Sequence, residues 1–313
     1  ERKLNEYGVF DVSGLDADPA ESTAEDARRE GVRLGGSTEA EMYDALGLAW
    51  IPPELREDTG EIAAAADGTL PDLVDQAAIR GDLHTHTEWS DGRYSIQEMA
   101  EAAADRGYGF HAITDHAAGA GIIESIGLSD ADLREQADAI AAVEEDVDIE
   151  LLHGVETNIE ADGSLSTADD VLADLDVVVA SPHSALDGET DAATERICRA
   201  IEHPAVDIIG HPTGRMINNR EGLLLDFAAI ADCAAANDTA LEVNANPLRL
   251  DLHGEAVRAV VDAGGTIAID TDAHGPDAFE TVRFGVRTAR RGWAEAADVI
   301  NTWSVDRLRS FLA

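Results

Sequence analysis

The sequence predicts an α/β protein whose main body is a parallel sheet, either doubly wound or closed into a TIM-like barrel. Two observations carry that expectation. From residue 79 onward, β-type runs alternate with helix-patterned runs, as in successive βα units. Residues 81–313 also approach the size of a TIM-type barrel, about 250 residues. No GxGxxG follows the first strand candidate, which weighs against a dinucleotide fold.

Residues 1–60 precede this body and differ from it, being turn-rich and acidic, with a proline pair in WIPPELRE (50–57). Residues 61–80, with ADGTLPDL, read as a linker to a domain over 81–313. Strand candidates then fall at about 79–85, 109–115, 149–157, 177–182, 205–210, 240–245 and 265–271. Helical patterns fill 95–107, 128–146 and 191–202, among others. Ser95 with Glu98, and Ser129 with Asp132, have the spacing of a capping box. Gly107 and Gly264 are placed to close helices. There is no internal repeat and no low-complexity tract.

The strand ends concentrate chemistry. DLHTHTEWSDG (82–92) offers His84 and His86, then Asp91; on a strand, residues i and i+2 share a side. FHAITDH ends in Asp115 and His116, LLHGVET in Glu156, VVVASPHS in His183, DIIGHP in His211, ALEVNANP in Asn244 and Asn246, and IAIDTDAH in Asp272 and His274. In a parallel barrel these ends meet at one face, where catalytic groups belong. Imidazole nitrogen with carboxylate oxygen, and no thiolate, suits Zn²⁺, Mn²⁺ or Fe²⁺. The candidate ligands are more than one ion needs, so two or three ions are expected.

Other polar residues carry weaker expectations. His203 precedes strand five on the opposite rim and reads as structural. His111, His153 and His253 read as packing or surface residues. Asp115 is expected behind the ligands or at a helix cap, and Asn244 as a residue orienting a ligand or water. Arg215 and Arg249 follow strands five and six, and are the candidates for gripping a phosphate.

Composition sets the bounds. A hydrophobic fraction of 44% supports a full core, and no apolar run has transmembrane length. The chain begins with Glu1 and reads as part of something longer or as a processed product. Cys198 and Cys233 sit in alanine-rich helical patterns as small buried hydrophobes, which fits a reducing cytoplasm. Sixty-four acidic against 22 basic residues give a formal charge of −42, and Lys3 is the only lysine. Such a charge repels itself in dilute buffer. At 1 M salt the Debye length is about 3 Å, so the composition reads as adaptation to molar salt. It argues against a basic groove that tracks phosphates.

HTH…SDG, ITDH, GVE, SPHS, GHP and DTDAH, in that order, resemble the motifs of the PHP (polymerase and histidinol phosphatase) domain. The lead-in KLNEYGVF, STEAEMYDALGLAWIPPELRE and IRGDLHTHTEWSDG resembles the junction in bacterial and archaeal family X DNA polymerases. There the polymerase thumb runs into a C-terminal PHP domain, so residues 1–60 would be a partial thumb. The nucleotidyl-transfer palm has no counterpart here. The resemblance implies a distorted (β/α)7 barrel and a three-metal centre. One ion would sit on His84, His86, Glu156 and Asp272, and a second on Glu156, His183 and His211. The third would sit on Asp91, His116 and His274, and Glu156 would bridge two of the ions. Glu156, Asp272 and His274 would carry the chemistry. The implied activity is a Mn²⁺-dependent 3′–5′ exonuclease that trims DNA 3′ ends in repair, partnered by a polymerase domain outside this chain. The alternatives are a phosphatase of the histidinol-phosphatase type and a non-catalytic module that stabilises a polymerase.

Overall fold

The computed structural model describes residues 2–15, 23–119 and 126–312. The chain divides into two compact units, Glu1–Pro71 and Asp72–Ala313.

In the first unit, strands β1 (Arg2–Asn5), β2 (Gly8–Asp11) and β3 (Val32–Gly35) form an antiparallel sheet in that order. Helix α1 (Ala24–Glu30) lies between β2 and β3 in the chain, and α2 (Glu39–Leu46) and α3 (Glu61–Asp67) follow. Phe10, Val12 and Ala27 make its small apolar cluster. The helical stretch Glu61–Asp67 falls in the segment that composition reads as linker.

The second unit is a (β/α)7 barrel. Its strands are β4 (Gly81–Asp82), β5 (Phe110–Ile113), β6 (Glu150–Asn158), β7 (Val177–Ser181), β8 (Ile208–Ile209), β9 (Ala240–Asn244) and β10 (Ile267–Asp270). They pair in chain order, all parallel. The ring closes just beyond the first and last strands, where Thr85 bridges to Ala273 and the His86 N–H donates to the Ala273 carbonyl at 2.8 Å. A helix follows each strand: α4 (Ile96–Asp105), α5 (Asp130–Glu144), α6 (Asp169–Leu172), α7 (Thr190–Ile201), α8 (Phe227–Ala236), α9 (Gly254–Asp262) and α10 (Val282–Arg291). The last helix is α11 (Val305–Phe311). Both expected capping boxes are formed, at Ser95/Glu98 and Ser129/Asp132. Gly107 and Gly264 take left-handed backbone at φ 79° and 74°, as helix-closing glycines do.

Every residue of β5, β7, β9 and β10 is buried, as expected for parallel strands covered on both faces. Alternate residues serve two clusters. Leu241, Val243, Ile267 and Ile269 pack under the helices. Leu152, Ala240 and Ala268 pack with Phe110, Val177, Val179, Ile208 and the C-terminal Ile300 and Trp303. Two residues further along β6, β9 and β10 on that same face come Gly154, Glu242 and Asp270; four further come Glu156 and Asn244, while Asp272 follows just past the end of β10. The period of two therefore carries the interior from hydrocarbon at one end to acids and amides at the other. No helix among the described residues is long and apolar enough to cross a membrane. Cys198 and Cys233 are free and half-buried, less enclosed than composition suggests.

Candidate metal centre

Glu156, near the C-terminal end of β6, is the hub. One oxygen lies 3.4 Å from His84 Nε2, 3.2 Å from His183 Nε2 and 3.0 Å from His211 Nε2. The other lies 2.6 Å from His116 Nδ1 and 3.6 Å from His86 Nε2. Five imidazoles from four strand ends thus converge on one carboxylate. Asp272 approaches His86 Nε2 at 3.2 Å and His274 Nδ1 at 3.7 Å. Asp91 approaches His274 Nε2 at 3.1 Å and His116 Nε2 at 3.6 Å. The nine residues expected as ligands from the strand ends are therefore brought together. Three overlapping groups have ligand atoms mutually within 4.8 Å: His86, Asp91, His116 and His274; His84, His86 and Asp272; His116, Glu156 and His183.

The grouping differs in detail from the one the resemblance implies. His116 faces Glu156 as well as Asp91, and His86 faces the Asp91 group as well as Asp272. Two of the nine, His211 and Asp272, hold positive φ of 24° and 53°, a strained backbone that clusters at functional sites.

These donors fit divalent cations. His84 Nε2, both His86 nitrogens, His116 Nδ1, His183 Nε2 and both Glu156 oxygens are buried with no hydrogen-bond partner. An unpaired buried polar atom costs about 1–3 kcal/mol, so this many around one carboxylate implies a shared cationic partner. Nitrogen and oxygen donors without thiolate match Zn²⁺, Mn²⁺ or Fe²⁺.

The electrostatics agree. Burial alone would raise Glu156, yet the imidazoles of His183, His116 and His84 hold it well below the usual carboxylate range. Burial would likewise raise Asp272, but His86, His84 and Arg249 hold it well down. His86 is pushed down to about 4 by burial and by the neighbouring His116 and His274. His211 falls to about 3, through burial and then Arg249. Both rings are neutral and have a lone pair to offer. His274 resists burial and rises to about 9, through its hydrogen bond to Asp91 and the charge of Asp272.

Behind the donors lies a supporting layer. Asp115 accepts from the Thr87 N–H (2.7 Å) and hydroxyl (2.6 Å), the Ser90 hydroxyl (2.5 Å) and the Gln136 amide (2.7 Å). It thereby braces the loop that carries Asp91. Asn158 holds His183 Nδ1 at 2.8 Å. Asn244 donates to Glu242 and Asp272, both at 3.2 Å.

Glu242 was not among the sequence candidates. It is fully buried, sits 2.7 Å from His84 Nδ1, and accepts a short bond from the His211 N–H. A carboxylate on the far nitrogen of a ligating histidine fixes its tautomer and aim. Its signal in ALEVNANP is parity: Glu242 shares a strand face with Asn244.

The remaining residues divide plainly. Arg249 Nε lies 3.3 Å from Asp272, and its Nη1 is buried without a hydrogen-bond partner. Arg215 is turned elsewhere, its Nε and Nη2 donating to the carbonyls of Arg249 and Leu250. His203 stands before β8 beside Asp169. His111 lies inside β5 against Phe279. His153, in β6, is partly buried, which lowers its pKa. His253 caps α9.

Comparison with known proteins agrees with this geometry. Residues 82–246 match the family model of the PHP domain, and residues 1–57 match that of the DNA polymerase beta thumb. The DNA polymerase/3′-5′ exonuclease PolX of Bacillus subtilis (strain 168) is 41% identical over 276 residues, which are 88% of this chain and 48% of that protein. The chain thus spans about half the length of that relative. A probable phosphatase of Edwardsiella ictaluri (strain 93-146) is 31% identical over 210 residues, 62% of this chain and 78% of that one. A candidate histidinol phosphatase of known structure from Listeria monocytogenes is 17% identical with a TM-score of 0.50, covering 63% of this chain and 96% of that one; this likeness concerns the fold alone. With seven parallel strands delivering histidines and carboxylates to one mouth, the chain belongs to the PHP domain family, and its N-terminal segment is similar to the DNA polymerase beta thumb.

Proposed function

We propose that the chain is a metal-dependent phosphoesterase that removes nucleotides from DNA 3′ ends, working beside a family X polymerase in repair. The observation that carries the hydrolase reading is Glu156 among five imidazoles, its oxygens buried and without hydrogen-bond partners. The 41% identity to PolX and the thumb match support DNA as substrate.

Two or three divalent ions, held by His84, His86, Asp91, His116, Glu156, His183, His211, Asp272 and His274, would supply Lewis acidity and acidify a water. The chain's own residues do the rest. Glu156 holds opposing imidazoles at a fixed separation. Asp272 aligns His86 and anchors Arg249, whose unpaired Nη1 is free for a non-bridging phosphate oxygen. His274, with Asp91, closes the outer side. In the net reaction, water oxygen bonds to phosphorus and the P–O3′ bond breaks. The leaving oxygen takes a proton, giving a nucleoside 5′-monophosphate and a shortened strand with a 3′-hydroxyl. We place this activity in a reducing, salt-rich cytoplasm, consistent with the free cysteines and the −42 charge.

A second reading, a phosphatase of the histidinol-phosphatase type, is favoured by the phosphatase relatives at 29–31% identity. Labelled single- and double-stranded DNA and histidinol phosphate, each with Mn²⁺ or Zn²⁺ in molar KCl, separate the two. A ladder of shortened strands is expected. Turnover of histidinol phosphate without any strand shortening would replace the first reading with the second.

A further inference from the structure

The loop that leaves β8 after His211 builds a groove of about 960 Å³ whose lining includes Arg215, Ile217, Asn218, Asn219, Arg220 and Leu224. The groove is held in shape. Met216 and Arg220 exchange backbone hydrogen bonds at 2.9 and 2.8 Å, the Leu223 N–H donates to the Thr213 carbonyl at 2.8 Å, and the Ile217 N–H donates to the Leu248 carbonyl at 2.6 Å. Asp251 fixes Thr213 through its N–H (3.0 Å) and hydroxyl (2.9 Å). A ligand entering it would not have to order the loop.

Its chemistry is unusual for this chain. Arg220 Nε and Nη2 donate to the Gly214 carbonyl at 3.0 and 2.6 Å, and Arg215 donates to the carbonyls of Arg249 and Leu250. Neither arginine forms an ion pair with a carboxylate among the described residues, in a chain with 64 acids. Asp251 interacts with the charge of Arg215, and Glu221 also lines the groove, but both arginines donate to carbonyls and pair with neither carboxylate, which leaves their charge open to an anion. Beside them Leu224 is 69% and Ile217 38% exposed, an apolar surface for a flat, weakly polar group. The groove is also joined to the metal centre. Thr213 is two residues beyond His211, and Arg249 braces Arg215 through its carbonyl while its Nε holds Asp272 at 3.3 Å.

We propose that this groove binds the nucleotide on the 5′ side of the scissile phosphate, with its phosphate on Arg220 and its base against Leu224 and Ile217. The inference rests on the phosphodiesterase reading and sharpens it. A phosphomonoester at the ions has no second phosphate for Arg220, whereas a polynucleotide does. Apolar contact also suits a salt-rich setting, because at 1 M salt charge attraction reaches only about 3 Å and single strands can be held by their bases.

The test compares a single-stranded oligo(dT) with the p-nitrophenyl ester of thymidine 5′-monophosphate, which lacks the upstream nucleotide. Arg220→Gln and Leu224→Ser should each lower the ratio of kcat/KM for oligonucleotide over ester by about tenfold. An unchanged ratio in both variants overturns the groove assignment. Binding is read separately by anisotropy of a 5′-labelled oligo(dT) with a 3′-terminal phosphorothioate. The variants should weaken Kd by a similar factor, and equal Kd values overturn the proposal whatever the turnover. A wild-type protein that binds the strand through the groove but cleaves neither substrate would instead defeat the phosphodiesterase reading.

Discussion

At the scale of single residues, the candidate ligands were legible because each imidazole or carboxylate ends a recognisable strand. Glu242 escaped notice because an acid inside an apolar run carries no motif of its own. Only the closed barrel puts it 2.7 Å from His84. Arg215 and Arg249 looked equivalent in sequence, yet only Arg249 contacts Asp272. Glu242 gives a prediction with two readouts of opposite sign. Glu242→Gln should weaken metal affinity by about 10–100-fold, measured by competition with a chromophoric chelator. In the metal-free protein the same change removes a buried charge close to Asp272, so its melting temperature should hold or rise. Equal loss in both measurements would make Glu242 a folding residue only.

At the scale of elements, all seven barrel strands were visible as apolar runs, though their lengths were not. Ladder pairing in β4 and β8 spans only two residues each, because the chain soon bends into the loops that carry His84, His86 and His211. The N-terminal sheet was missed: β1 alternates exposed with half-buried residues and has no apolar run to betray it. At the opposite end of β8 from the metals, Asp207 accepts from the Val178 N–H at 2.8 Å. Burial raises it to about 7, against the lowering effect of that hydrogen bond. Its folded pKa exceeds the unfolded one, so the folded state binds more protons between about pH 4 and 7. Its contribution to stability is present below that window and is lost as pH rises through 7. Asp207→Asn should therefore gain in melting temperature relative to wild type between pH 5 and pH 8. A difference that stays constant with pH would rule out this titration.

At the scale of the whole molecule, charge was the most legible property and the least specific. The −42 balance foretold neither fold nor chemistry, but it makes a physical demand. Screening over about 3 Å at 1 M salt removes repulsion that dilute buffer restores. Thermal melts from low to molar KCl should move upward, and a flat or falling trend would refute the adaptation to salt. The central claim is that one barrel mouth holds a multi-ion centre built on Glu156. Elemental analysis of protein purified without chelator tests it most directly, alongside Glu156→Gln. The wild type should carry two or three transition-metal ions per chain. The variant keeps the side-chain volume but loses the charge that faces five imidazoles, so it should lose at least one ion and about 10²–10⁴-fold in hydrolysis. A folded wild-type protein with reproducibly near-zero metal, or a variant with the same metal content as wild type, would contradict the account.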